Sequence, residues 1–167
     1  MVEDVDRNIR AFISLAGNPF RFKVFLLSKL PAAYFSGIRV KYIDEIRSIV
    51  TIPYKWFTKN PFHSTYFACL SMAAEMSTGL LAMMNTYRRD PKVSMLVTNV
   101  ESEFVKKATG VIEFTCDQGS EVSSAIESCI LNNKAVKVKM KAQGLDSQGA
   151  IVAIFFITWS FKPKFNK

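Results

Sequence analysis

The chain has 167 residues, 49% apolar and 22% charged, which fits one folded domain with an ordinary core and excludes a disordered chain. Its formal charge of +8 is compatible with nucleic acid, an anionic membrane or a phosphate-bearing small molecule, and does not choose among them. Three scattered cysteines (Cys69, Cys116, Cys129) and one histidine, His63, exclude a disulfide framework and a zinc-type ligand set, so no metal or cofactor is expected. A Ser-His-Asp triad would have to pass through His63, and nothing near it resembles a nucleophile elbow.

Residues 1–30 read as a helical arm in one or two pieces. Phe12, Ile13 and Leu15, then Phe22, Phe25, Leu26 and Leu27, recur at helical spacing, and Gly17-Asn18-Pro19 breaks the run. Arg10, Arg21, Lys23 and Lys29 make the arm basic and amphipathic. Such a helix either lies on a membrane or packs its apolar face on the domain, the second being the default. From Gly37 the period becomes two: Ile38, Val40 and Tyr42 alternate with Arg39 and Lys41, Asp44-Glu45 turns, and Ile46 to Pro53 returns as the second strand of a hairpin. Trp56, Phe57 and the loop Lys59-Asn60-Pro61 follow.

The stretch Asn60 to Met84 is the longest with a helical pattern, and it is small or apolar apart from one acid, Glu75. Asn60 and Ser64 are candidate caps. Gly79 costs about 1 kcal/mol relative to Ala inside a helix, which a close approach of another backbone would explain. The helix should stop near Tyr87, ahead of Arg88-Arg89-Asp90-Pro91. A carboxylate in an apolar helix is costly unless it is paired or useful. Glu75 is therefore either on a wet edge or subunit contact, or a reactive group whose pKa burial raises.

Beyond it, Val93 to Val105 reads as a long strand with Glu101 and Glu103 on one face, paired across Lys106-Lys107-Ala108 with Thr109 to Thr115. Ser120 to Leu131 reads as a short helix capped by Ser120, with Glu121 in its first turn. Lys134 to Ala142 alternates, with Val136, Val138 and Met140 on one face and Lys137, Lys139 and Lys141 on the other. After a turn at Gly144–Gly149, Ala150 to Phe161 reads as a central strand covered on both faces. The run Ala150–Ile157 is shorter than the ~20 residues of a membrane-spanning helix. The acidic opening Val2-Glu3-Asp4-Val5-Asp6 is unlike a signal peptide. A cytoplasmic protein without stable membrane insertion is expected.

The order gives an α+β class: a helical arm, then an antiparallel sheet of about six strands wrapped around one long helix, which buries that helix. Arm 1–30 and domain 31–167 are the expected divisions. This order resembles the hotdog fold. Many hotdog acyl-CoA thioesterases carry an Asn, a short loop, His-Gly-Gly-Ala, and an Asp or Glu nine residues after the His. Here Asn60 matches the Asn, Tyr66-Phe67-Ala68-Cys69 stands where His-Gly-Gly-Ala would be, and Glu75 is nine residues after Tyr66. The segments Leu30-Pro31-Ala32-Ala33-Tyr34-Phe35-Ser36-Gly37, Pro53-Tyr54-Lys55-Trp56, Asn60-Pro61-Phe62 and Ala74-Glu75-Met76-Ser77-Thr78-Gly79 resemble an uncharacterised, thioesterase-like branch of that fold. The resemblance spans about residues 25–162.

The resemblance implies that Glu75 is the general base or nucleophile and that Asn60 orients the water or the carbonyl oxygen. It also implies that the first N–H groups of the helix, at Tyr66 and Phe67, polarise the thioester carbonyl. Asn60 reads equally well as a cap. His63 is a proton shuttle or an ordinary loop residue, and Ser71 and Thr78, on Glu75's face, are further substrate-side candidates or small packing residues. The Lys137, Lys139, Lys141 stripe is a seat for coenzyme A phosphates or a solvated face; Arg88-Arg89 has the same two readings. Neither has the interleaved aromatics expected for nucleic acid. The expected partner is an acyl-CoA or acyl-carrier thioester, and the expected assembly a homodimer or dimer of dimers in which Asn60 and Glu75 come from different subunits. The sequence departs from the thioesterase pattern at Tyr66 and Phe67, which are bulky where it has His and Gly. That departure keeps a non-catalytic acyl-binding or assembly protein in play. A hydroxyacyl dehydratase using His63 and Glu75 is the lesser alternative, because its Gly-His-Phe-Pro-Gly loop is absent.

Overall fold

A computed structural model describes residues 2–164, with Val2 described by its backbone alone. Met1 of the expected arm and residues 165–167 of the expected domain lie outside the described residues. The arm is two helices, α1 (Val2–Gly17) and α2 (Pro19–Lys29). The break falls where Asn18 stops one helix and starts the next: its Oδ1 accepts from the N–H of Phe20 at 3.1 Å and of Arg21 at 3.0 Å, while Pro19 occupies the first turn. A third short helix, α3 (Pro31–Ser36), has no periodic signal; Pro31 opens it and Gly37, at φ 76°, closes it.

The hairpin follows as β1 (Arg39–Ile43) and β2 (Ser48–Ile52), antiparallel. Asp44 fixes its turn by accepting from the N–H of Ile46 and Arg47. A single 3-10 turn, Trp56–Thr58, leads to the long helix α4 (Phe67–Thr86). Then come β3 (Lys92–Phe104), β4 (Ile112–Cys116), α5 (Gly119–Leu131), β5 (Val136–Leu145) and β6 (Ile151–Lys164). The strands form one antiparallel sheet of six in the order β1-β2-β4-β5-β6-β3.

This order corrects one expected pairing. β4 does not pair with β3; it lies between β2 and β5, while β3 is at the far edge and pairs with β6 alone. The connection is no hairpin turn. The N–H groups of Val105 and Lys106 reach the carbonyl of Val152, and the carbonyl of Ala108 accepts from Thr65 N–H, so the segment crosses the end of the sheet. A second expectation is also corrected: β6 is interior to the sheet but covered on one face only. Val152, Phe155, Ile157, Trp159 and Phe161 are buried, whereas Ile154, Phe156, Thr158 and Ser160 are half-buried on a face that no second layer of the described residues covers. The α5 helix is capped at Gln118 without a side-chain bond, not by Ser120.

The sheet curls round α4, whose Leu70, Ala73, Ala74, Leu80 and Leu81 are buried against Val50, Ile52, Phe114, Met140 and Phe155 in one core. Leu80 and Leu81, 1% and 0% exposed, each contribute about 2 kcal/mol by leaving water. Small residues let the strands approach closely, and Ser48 Oγ donates to the carbonyl of Ser77 across that contact. With 20 residues and a mean hydropathy of 1.4, α4 is long and apolar enough to cross a membrane, although it is mostly buried in the protein. Looking for unbroken apolar runs overlooks it, because Ser71, Glu75, Ser77 and Thr78 interrupt the run while its mean stays high. Phe12 and Ala16 of α1 and Phe22 and Leu26 of α2 belong to the same core. Cys69, Cys116 and Cys129 are all free and buried, and burial pushes the Cys116 thiol up to about 12.

Candidate active site

Glu75 lies in the middle of α4, half-buried, with no hydrogen bond or ion pair to its carboxylate among the described residues. Burial alone raises its pKa to about 6. Its seat is made by Gly79, one turn further on. A β-carbon added at Gly79 would lie 3.1 Å from Glu75 Oε1 and 3.3 Å from Cζ2 of the Trp159 ring. So the glycine admits a carboxylate and an indole edge, and not the second backbone that the sequence suggests. Trp159 is held by its Nε1, which donates to Thr78 Oγ1 at 2.9 Å, while Thr78 Oγ1 itself donates to the Glu75 carbonyl at 3.0 Å. Thr78 thus braces the seat with its hydroxyl already committed. Ser71 back-bonds to the Phe67 carbonyl at 2.9 Å, one turn before Glu75.

The N-terminus of α4 differs from the expected one. The cap is Tyr66, without a side-chain bond, and neither Asn60 nor Ser64 serves it. Asn60 is turned onto its own loop: Oδ1 accepts from the N–H of Phe62 at 2.9 Å and of Ser64 at 3.2 Å, and Nδ2 donates to Ser64 Oγ at 3.1 Å. The physical reason is distance along the chain. Asn60 stands six positions before Tyr66, and residues 60–64 form a closed loop (Asn60 N–H to Ser64 C=O, 2.8 Å) instead of a helical turn. Tyr66 N–H is taken by the Thr58 carbonyl at 2.7 Å, so the helix-start donors without an acceptor among the described residues are those of Phe67 and Ala68, its first two positions. His63 is exposed, at φ 57°, on the same loop.

Tyr66 and Phe67 line an open groove of about 510 Å³ together with Asn60, Phe62, Leu70 and Phe104. Their rings meet at 4.9 Å, Phe67 meets Phe104 at 6.3 Å, and Phe104 meets the buried Phe155 at 5.6 Å, so a line of aromatic rings runs from surface to core. Glu75, His63, Ser71 and Thr78 do not line this groove. From Phe67 to Glu75 the helix rises about 12 Å. The carboxylate leans further away, toward Gly79. One chain therefore does not bring Asn60, the free N–H groups and Glu75 around one small reacting group. Phe104, Leu70 and Trp159 are site neighbours that sequence reasoning missed. Long-range strand register brings Phe104 and Trp159 there and left no local signal, whereas a glycine one turn after a lone acid was a readable one.

The basic clusters separate. Arg89 is buried, its Nε donates to the Asn85 carbonyl at 3.1 Å and its guanidinium pairs with Glu127 of α5. Arg88 is exposed beside the Tyr87 ring. Lys139 pairs with Glu101 at 2.8 Å and lies 5.0 Å over the Phe156 ring on the outer sheet face. Among the described residues, no group of His, Cys, Asp or Glu is placed to hold a metal ion.

Solved structures share this architecture. A protein of unknown function from Pseudomonas aeruginosa, described as a probable thioesterase, is 18% identical with a TM-score of 0.75, over 88% of this chain and 97% of that one. A candidate thioesterase from Shewanella oneidensis is 14% identical with a TM-score of 0.72, over 90% and 99%. A thioesterase from Haemophilus influenzae is 8% identical with a TM-score of 0.64, over 89% and 93%. No curated protein matches the sequence. The fold is the hotdog fold, of the kind found in thioesterase-like proteins. Residues 20–161 match a single family, and the chain belongs to it: the Domain of unknown function (DUF4442).

Proposed function

We propose that the protein hydrolyses an acyl-CoA or acyl-carrier thioester, with Glu75 as the working carboxylate. The observation that carries this reading is an acid left half-buried on the central helix, unpaired among the described residues, with its pKa raised to about 6 and a seat built for it. A thioesterase-like fold supports the reaction class. The free N–H groups of Phe67 and Ala68 polarise the thioester carbonyl. Glu75 takes a proton from water as the oxygen attacks the carbonyl carbon; the carbon–sulfur bond then breaks, and the thiol leaves with that proton. Asn60, bonded within its loop, forms part of the groove wall, and a role in orienting the water or the carbonyl oxygen there would be played opposite a Glu75 from the second copy.

Because the two ends of this machinery are about 12 Å apart along one helix, they act on one thioester only if a second copy supplies the other half. The seam for such a homodimer is β3, an edge strand of 13 residues with Leu96 66%, Val100 52% and Phe104 47% exposed. One observation favours the non-catalytic acyl-binding reading: Tyr66 and Phe67 stand in the groove where an open loop would admit substrate. His63, exposed on its loop and without an acid partner among the described residues, gives the dehydratase reading no support.

Hydrolysis of a chain-length series of acyl-CoA substrates decides between the readings. Thioesterase activity should fall about a thousandfold in Glu75→Gln, the scale of a lost general base. An unchanged rate in that variant sinks the role of Glu75, and no turnover of any substrate by the wild type leaves the acyl-binding reading in its place.

A further inference from the structure

The helix α2 is apolar on two opposite faces. Phe22 and Leu26 are buried in the core, while Phe20, Val24 and Leu27 are 76%, 54% and 50% exposed. At 100° per residue, those three fall within about 60° of one another on the outward side. Exposed rings also stand on α3 and the 3-10 turn: Phe35 is 53% exposed, Phe57 50% with its ring 6.2 Å from that of Phe35, and Trp56 79%. Exposed rings and aliphatics gathered like this mark a contact surface.

The sequence that builds this face is basic, although Arg7 pairs with Asp4 and Lys41 with Glu113. From Arg7 to Ile43 the sequence has seven Lys and Arg and no acid, and from Ile46 to Ala74 it again has no acid. Lys23, Arg39 and Lys55 ring a shallow cavity of about 280 Å³ between α2 and β1, floored by Leu26, Gly37 and Ile38. None of the three has an acidic partner among the described residues. Lys55 Nζ lies over Gly37, where a β-carbon would come within 2.6 Å of it.

We infer that this face, formed by α2, α3 and the Trp56–Thr58 turn, docks on an anionic phospholipid membrane. Phe20, Leu27 and Trp56 enter the headgroup boundary, and the cavity ringed by Lys23, Arg39 and Lys55 seats a lipid phosphate. Amphipathic helices bind bilayers in this way, combining apolar insertion with attraction between basic residues and anionic headgroups. Charge complementarity selects an anionic surface over a neutral one, and large exposed rings select a lipid surface over an inorganic anion. The contact is peripheral, since α4 stays inside the sheet.

Flotation of the full chain with vesicles tests this without reference to hydrolysis. Vesicles of equal parts phosphatidylcholine and phosphatidylglycerol should carry the protein at low salt and release it as salt rises; phosphatidylcholine alone should not carry it. Phe20→Ser with Leu27→Ser, and separately Lys23→Glu with Lys55→Glu, should each weaken binding about tenfold with unchanged melting. No flotation with anionic vesicles, or flotation equal to wild type in both variants, overturns the inference. A change of oligomeric state in the Phe20→Ser, Leu27→Ser variant by sedimentation overturns it in favour of a second copy. Binding to an acidic carrier protein with none to vesicles overturns it in favour of that partner.

Discussion

One acid on α4 and one arginine just beyond it are withdrawn from water, and the protein treats them in opposite ways. Arg89, three residues past the helix end, is packed against α5 with Glu127 and the Asn85 carbonyl to satisfy it. Glu75 has a shaped seat and no partner among the described residues, and burial alone shifts its pKa. Burial with a partner fastens two helices together. Burial without one holds a carboxylate near the point where it can exchange protons at neutral pH, at a cost to stability.

The comparison breaks most readily at Arg89. Arg89→Ala should lower stability by about 3 kcal/mol in urea unfolding, since it leaves the Asn85 carbonyl unpaired and opens the α4–α5 contact. Thioester hydrolysis per folded molecule should be unchanged. A loss below about 0.5 kcal/mol would make the Glu127 pair a surface ornament.

Glu75 should behave in the reverse sense. Its folded pKa, about 6, lies above the ordinary carboxylate value, so the charged form destabilises the fold. Above that pH, Glu75→Gln should be more stable than wild type by about 2 kcal/mol, and the difference should vanish as pH falls below about 4.5. Equal stability of the two proteins at neutral pH would mean that Glu75 has a partner in the assembled protein.

Gly79→Ala should give the smallest effect and the sharpest test. The added methyl meets Glu75 Oε1 at 3.1 Å and the Trp159 ring at 3.3 Å. The helix gains about 1 kcal/mol of propensity, which the contact offsets, so stability should move by less than about 1 kcal/mol. Hydrolysis should fall about tenfold, because a small displacement of a catalytic group is enough for that. A rate equal to wild type would detach the seat from the chemistry.

Much of this was legible in the residues because it is local. The period of α4, the isolation of Glu75, the hairpin of β1 and β2 and the break at Asn18 all follow from neighbours a few positions apart. What was not legible depends on the far side of the fold. The sequence offers β4 a nearby partner in β3, yet the path through Ala108 carries it across the sheet to β2 and β5. Asn60 looks like a helix cap in a linear reading, and only the closed loop shows that its amide bonds within that loop and not to the helix start. Arg88 and Arg89 read alike as neighbours; the structure turns one to solvent and the other to Glu127.

The three cysteines have a practical consequence. Cys69 sits at the start of α4, Cys116 at the end of β4 and Cys129 near the end of α5, and burial holds each thiol in its unreactive, protonated form. An alkylating reagent added to the native protein therefore counts opening events rather than surface thiols. Cys69 reports on the helix start beside the groove, Cys116 on the sheet centre and Cys129 on the helix that Arg89 fastens, so labelling rates at the three positions record which of these regions loosens first.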